Sequence, residues 1–81
     1  MRLPRDLSGE ELAKKLQALG FEPTRQTGSH LRLTRKSPEA DSHVTVPLHK
    51  NLRVGTLNAI VSDVSRQFGV SKLELLRRLF G

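Results

Sequence analysis

Apolar residues follow two different periods along the chain, and these periods predict helices at both ends of a domain with strands between them. Leu12, Leu16 and Leu19 recur at helical spacing. They follow the letters SGEE, a pattern typical of a helical capping box. Gly20 is expected to end this first helix in a left-handed conformation. A second apolar stripe at helical spacing predicts another helix and consists of Leu57, Ile60, Val61, Val64 and Phe68.

Local signals predict the boundaries of this second helix and the presence of a third. Gly55 or Thr56 is the expected cap of the second helix, and Gly69 its expected end. The letters SKLE then repeat the capping-box pattern at Ser71 and Glu74, which predicts a short third helix through about Leu79. The segment 72–81 is apolar on several sides, which indicates either a part of the core or a surface for a partner.

Between the helices the apolar residues alternate, which predicts three antiparallel strands. The first covers about 22–27, with Pro23 favouring an edge position. Gly28 marks a turn, the second strand covers 29–35, and the third consists of the letters HVTVP. Two helices are expected to cover one face of this sheet, giving a two-layer α+β sandwich. The covered face should bury Leu31, Leu33, Val44 and Val46, and the open face should carry His30, Arg32, Thr34, His43 and Thr45.

The loop KSPEADS predicts the pairing of the second and third strands. With Arg35 opposite His43, Leu33 falls opposite Thr45. Residue 30 then lies beside Leu48 and His49, which predicts that the two histidines 30 and 49 are close together. A slip of one residue would change this arrangement.

Composition and charge limit the possible functions. The 81 residues are expected to form a single domain, 1–81, and the absence of cysteine excludes disulfides and thiolate metal sites. No signal-like segment is visible at the N-terminus, so we expect a cytoplasmic protein without a membrane partner. The formal net charge of +6 and the pI near 10.9 favour a polyanionic partner such as RNA. An acidic protein partner is also compatible with this charge.

The histidines are the residues best suited to chemistry. The sequence contains no phosphate-binding glycine loop or nucleophile elbow, and no cofactor is expected. Cleavage of RNA without a metal needs a group that exchanges protons near neutral pH, together with cations that stabilise the phosphorane. His30, with its neighbours Arg32 and Arg35 on the same strand, supplies both kinds of group. His49 is the candidate for a second, complementary histidine, and His43 is interpreted as structural or solvated. A zinc site is disfavoured, because the histidines lack ligand spacing and a fourth ligand.

Four short motifs, in order along the chain, resemble the pattern of the HicA family of toxin ribonucleases, over about residues 8–71. They are Gly20 and Phe21; Gly28, Ser29 and His30; Val46, Pro47 and His49; and Gly55, Thr56 and Leu57. The resemblance implies a fold like that of double-stranded-RNA-binding domains, in the order α-β-β-β-α. It also implies an mRNA interferase that is held inactive by a HicB-type antitoxin. The family's essential histidine maps to His30.

The sequence therefore predicts a toxin that acts as a metal-independent endoribonuclease, with residues 72–81 as a helical extension. The expected RNA-binding residues are Ser29, Arg32, Arg35, Lys50 and Arg53. Two alternatives stay open. One is a non-catalytic RNA-binding module that grips RNA by its shape. The other is an interaction subunit whose basic surface docks an acidic partner. The chain has no Tyr or Trp for stacking on bases, which departs from the usual means of reading RNA.

Overall fold

A computed structural model describes residues 4–81 of the chain. Their elements follow the predicted order, with three strands between the first two helices and a third helix at the end. The α+β prediction is thus confirmed. The elements are α1 (Gly9–Ala18), β1 (Glu22–Thr27), β2 (His30–Arg35), β3 (Ser42–Pro47), α2 (Val54–Phe68) and α3 (Lys72–Phe80).

The first helix begins with the predicted capping box. The Ser8 hydroxyl accepts from the Glu11 N–H at 3.0 Å, and the Glu11 carboxylate accepts from the Ser8 N–H at 3.1 Å. The Ser8 backbone N–H, and after it the Ser8 side chain, hold the pKa of Glu11 below its ordinary value of 4.5. These bonds satisfy amides that would otherwise lack partners at the helix start.

The second helix starts earlier than predicted. Its N-cap is Arg53 and not Gly55 or Thr56, and no side chain caps it. The first helical bond runs from the Leu57 N–H to the Arg53 carbonyl at 2.9 Å. Because the helix starts one turn before Leu57, the backbone N–H of this buried residue already has a partner within the helix. Gly69 adopts the expected left-handed conformation at the end, with φ of 67°.

The three strands form one antiparallel sheet in the order β1-β2-β3, but the predicted register of β2 and β3 is wrong by one residue. Arg35 pairs with Ser42 and not with His43, and His30 pairs with Pro47. The physical reason is that directly opposed residues project to the same face of a sheet. The observed register therefore places Leu33 opposite Val44, so that both enter the core.

One hydrophobic core lies between the helices and the covered sheet face. The prediction for that face holds for Leu33, Val44 and Val46, whereas Leu31 is only half-buried. Leu31 lines an open groove of about 250 Å³ between α1 and the β1–β2 hairpin, so it lies where the helical layer ends. All six residues of β1 are exposed. The hairpin of β1 and β2 is therefore the least covered part of the sheet.

The third helix belongs to the core. Its Leu75, Leu76 and Leu79 are buried, and they join the cluster formed by the first two helices and the sheet. Ser71 caps it by accepting from the Glu74 N–H at 3.1 Å, as the SKLE pattern predicts. Of the two interpretations of residues 72–81, the structure thus supports an integral part of the core.

Candidate functional site

His30 is the first residue of β2 and lies on the open face of the sheet. A two-residue turn, Gly28 and Ser29, joins it to Thr27, its partner on β1. Gly28 has φ of +57°, which suits the first position of a type II′ hairpin turn. The His30 ring is exposed and makes no hydrogen bond within residues 4–81. Both ring nitrogens are therefore available to a ligand.

His30 lines a shallow, open cavity of about 190 Å³. Its walls come from all three strands, because residues that pair across the sheet project to the same face. Arg25 pairs with Arg32, and Arg32 pairs in turn with Thr45. The lining residues are Arg25, Thr27, His30, Arg32 and Thr45. One imidazole thus shares a cavity with two guanidinium groups.

The two arginines form a like-charge pair across the strands. Like charges directly opposite each other destabilise a sheet. Within residues 4–81 the only salt bridges are those of Arg66 with Asp63 and of Arg78 with Glu74, so no carboxylate neutralises the cavity pair. Such uncompensated positive charge is suited to an anion, and guanidinium groups match phosphate oxygens well.

Arg25 was not among the residues predicted from the sequence. The signal was nevertheless present, because a two-residue turn at Gly28 and Ser29 fixes the pairing of β1 with β2. Counting back from that turn places Thr27 opposite His30 and Arg25 opposite Arg32, as the structure shows. The bulge between Pro23 and Arg25 begins only beyond these pairs.

Arg35 lies away from this cavity, on the covered face of the sheet. Its guanidinium lies 4.7 Å from the centre of the Phe68 ring. Its Nε donates to the Leu19 carbonyl at 3.1 Å. These contacts tie the end of β2 to the ends of α1 and α2. Arg35 was predicted to bind RNA, but its guanidinium has packing partners within the fold.

The other predicted residues lie at the His30 end of the sheet but outside the cavity. Ser29 accepts the Leu48 N–H on its carbonyl at 2.6 Å, which extends the β2–β3 ladder by one pair. His49 lies two residues beyond Pro47, the partner of His30, and its carbonyl accepts from the Gly9 N–H at 2.9 Å. Its side chain does not line the cavity. Lys50 and Arg53 are exposed on the loop that leads to α2.

Two further properties concern metals and membranes. In residues 4–81 no three His, Cys, Asp or Glu side chains are grouped so that they could hold a metal ion. Across the same part of the chain, no helix has both the length and the apolar character needed to cross a membrane.

The fold and the cavity define a class: a small basic α+β protein of the α-β-β-β-α type with a solvent-exposed histidine among arginines on its open sheet face. Comparison with known families makes the assignment more specific. Residues 9–70 match the family described as HicA toxin of bacterial toxin-antitoxin, and the chain belongs to this family. It is thus a toxin of a toxin–antitoxin system, which implies a cognate antitoxin. No curated protein and no solved structure matches the chain significantly.

Proposed function

We propose that this toxin is an endoribonuclease that cleaves mRNA without a metal, with His30 as an acid or base in the reaction. The observation that carries the proposal is the cavity in which an exposed His30 lies beside Arg25 and Arg32. An imidazole exchanges protons near neutral pH. The guanidinium groups are suited to binding the phosphate and to stabilising the negative charge that develops on it.

The reaction consistent with these groups is an intramolecular transesterification at a phosphodiester of the RNA. A base takes the proton of a 2′-hydroxyl, whose oxygen then attacks the adjacent phosphorus. The bond from phosphorus to the 5′ oxygen breaks, and an acid gives that oxygen a proton. The products are a 2′,3′-cyclic phosphate and a 5′-hydroxyl, so no external nucleophile is consumed. His30 can serve one of the two proton transfers, and His49, at the same end of the sheet, is the candidate for the other.

The binding residues follow from the location of the cavity. Arg25 and Arg32 would hold the phosphate at the cleavage point. Lys50 and Arg53, exposed at the same end of the sheet, would bind neighbouring phosphates. Ser29 would present its backbone to the RNA at the turn. Arg35 is left out of this group, because its guanidinium packs on Phe68.

The cellular setting follows from the family and the proposed substrate. We infer that a HicB-type antitoxin is the partner that holds the toxin inactive. A toxin that cleaves mRNA acts where mRNA is found, so we place it in the cytoplasm.

The test is cleavage of a long RNA by the purified wild type and by His30→Ala. Because the ring is exposed and makes no hydrogen bonds within the described chain, the variant should keep its fold. Its cleavage rate should fall by about 10²- to 10⁴-fold. Lys15→Ala, on the exposed side of α1, is the matched control and should cleave normally. Added EDTA should leave the wild-type rate unchanged.

Three outcomes would count against the proposal. Full activity of His30→Ala would exclude the histidine mechanism. Loss of activity in EDTA would show that a metal is required. An RNA that the wild type shifts on a gel without cutting would favour the non-catalytic RNA-binding module instead.

A further inference from the structure

A second histidine, His43, lies on the same open face as His30. It pairs with Thr34, while His30 pairs with Pro47. The two positions are therefore four residue steps apart along β3, which corresponds to about 13 Å along the strand. Arg32 and Thr45 form the row between them. A continuous polar surface thus leads from one histidine to the other.

The His43 ring is held by a chain of hydrogen bonds across the sheet. Its Nδ1 lies 3.0 Å from the Thr34 hydroxyl, which lies 3.1 Å from the hydroxyl of Thr24 on β1. Thr34 is buried, although it was predicted to be solvent-exposed like the rest of the open face. Since Nδ1 is occupied, Nε2 is the nitrogen left for a ligand, and it has no hydrogen-bond partner within residues 4–81.

The backbone of His43 is held as well. The Gln67 side chain of α2 accepts from the His43 N–H at 3.1 Å and donates to its carbonyl at 3.0 Å. The same amide donates to Asp63 at 3.1 Å. Side-chain and backbone bonds from two elements therefore fix an exposed residue. Such support is what a binding residue needs in order to be preorganised.

We propose that His43 is a second RNA contact, which binds a phosphate several nucleotides from the bond at His30. The inference rests on the proposed function for the position of the cleaved bond. One nucleotide covers about 3.4 Å along the axis of a duplex, so a separation of about 13 Å exceeds a single nucleotide step. The substrate is then a single strand that lies along β2 and β3 on the open face. Thr34 is a positioning residue that orients the His43 ring.

Protonation of the imidazole should strengthen this contact, so the binding should depend on pH. The charged groups around His43 are of both signs. Arg32 and Asp63 line the same groove of about 360 Å³ between β3 and α2, and Asp63 is paired with Arg66. Glu22 of β1 lies in the row of Thr34. Histidine is the residue type that ordinarily changes charge between about pH 5 and 8, so this is the range to be measured.

The experiment measures the affinity for a ten-nucleotide RNA in the His30→Ala background, where cleavage should be slow compared with the titration and position 30 carries no imidazole. Affinity should rise about three- to tenfold from pH 7.5 to pH 5.5, in line with one added charged contact. Adding His43→Gln should remove most of this rise. Adding His43→Arg should give tight binding at both pH values. Adding Thr34→Val should reduce the rise, since the ring loses its orienting hydroxyl.

A dinucleotide is the matched control ligand, because it is too short to reach from the cavity to His43. Its affinity should be the same with and without His43→Gln. An unchanged pH dependence in the His43→Gln protein would overturn the inference, as would a His43→Arg protein that binds no better than His43→Gln. These measurements involve no cleavage, so they can fail while the wild type still cuts RNA, and the nuclease proposal can fail while they succeed.

Discussion

His30 reaches solvent because of the two residues before it. Gly28 accepts a positive φ without a steric penalty, and the resulting tight turn starts β2 directly at the histidine. The alternation of the strand then turns Leu31 towards the helices and the imidazole away from them. The exposure of the ring is thus a direct consequence of the local sequence.

The arginine pair beside His30 shows a conflict between stability and binding. Arg25 and Arg32 are directly opposite each other on neighbouring strands, and no acid lies between them to reduce their repulsion. A pair that only served folding would be expected to have opposite charges. We therefore interpret the repulsion as a cost that a bound phosphate relieves.

Replacing Arg25 by Gln should separate these two effects. Stability should rise by about 0.2–1 kcal/mol, because the like-charge pair is removed. Affinity for RNA should fall, because a phosphate contact is lost. Thermal or urea unfolding measures the first effect, and RNA titration in the His30→Ala background measures the second. Lys15→Gln serves as the control and should change neither quantity appreciably. A variant with lower stability and unchanged affinity would show that Arg25 is structural.

At the scale of elements, periodicity predicted the faces of the strands but the loop did not predict their register. Both leucines of β2 were correctly assigned to the helix side from alternation alone. The pairing failed because it was counted from the ends of KSPEADS, a seven-residue loop that does not determine which residues are opposed. Matching Leu33 to the inward Val44 would have given the observed register. The tight turn before His30 is sufficient to predict the register of β1 against β2. The long loop is not sufficient to predict the register of β3 against β2.

Some features have no signal in a single sequence. The position of Arg35 over Phe68 depends on how β2 and α2 pack, which periodicity does not describe. The role of Gln67 at the edge of β3 likewise depends on residues 24 positions apart. The helix α3 was visible as an element, but only packing shows that Leu75 and Leu79 complete the core.

Gly9, at the junction between α1 and the loop after β3, is the most tightly packed glycine in the described chain. A Cβ added to Gly9 would lie 2.0 Å from the Pro47 carbonyl oxygen and 2.9 Å from the Leu48 Cα. These are backbone atoms, so they cannot move aside as a flexible side chain would. The Gly9 N–H also bonds to the His49 carbonyl, and the junction therefore sets the position of the loop beside the site.

Substitution of two glycines by alanine should have opposite effects. Gly9→Ala should destabilise the protein by about 1–3 kcal/mol, because the backbone must shift to admit the methyl group. Gly55→Ala should stabilise it by about 0.4–1 kcal/mol, because the added Cβ meets open space in a helix. Chemical unfolding of both variants gives the comparison. Equal stabilities would mean that Gly9 does not pack tightly against Pro47.

At the scale of the whole molecule, the question is whether RNA affinity depends on the net charge or on the charges of one sheet face. The net charge of +6 attracts any polyanion over a distance. Phosphates that are contacted directly, however, release counterions, and this release sets the dependence of affinity on salt. The open sheet face carries Arg25 and Arg32, whereas Lys14 and Lys15 are exposed on α1. The two pairs differ in location and are equal in charge.

Two double variants therefore distinguish the face from the net charge. In the His30→Ala background, replacing Arg25 and Arg32 by Gln should reduce the slope of log affinity against log salt by about 1–1.5, since each phosphate contact on a single strand contributes roughly 0.7. Replacing Lys14 and Lys15 by Gln removes the same charge and should leave the slope nearly unchanged. If both double variants lowered the slope equally, RNA affinity would depend on the overall charge. The open face would then not be the RNA-binding site.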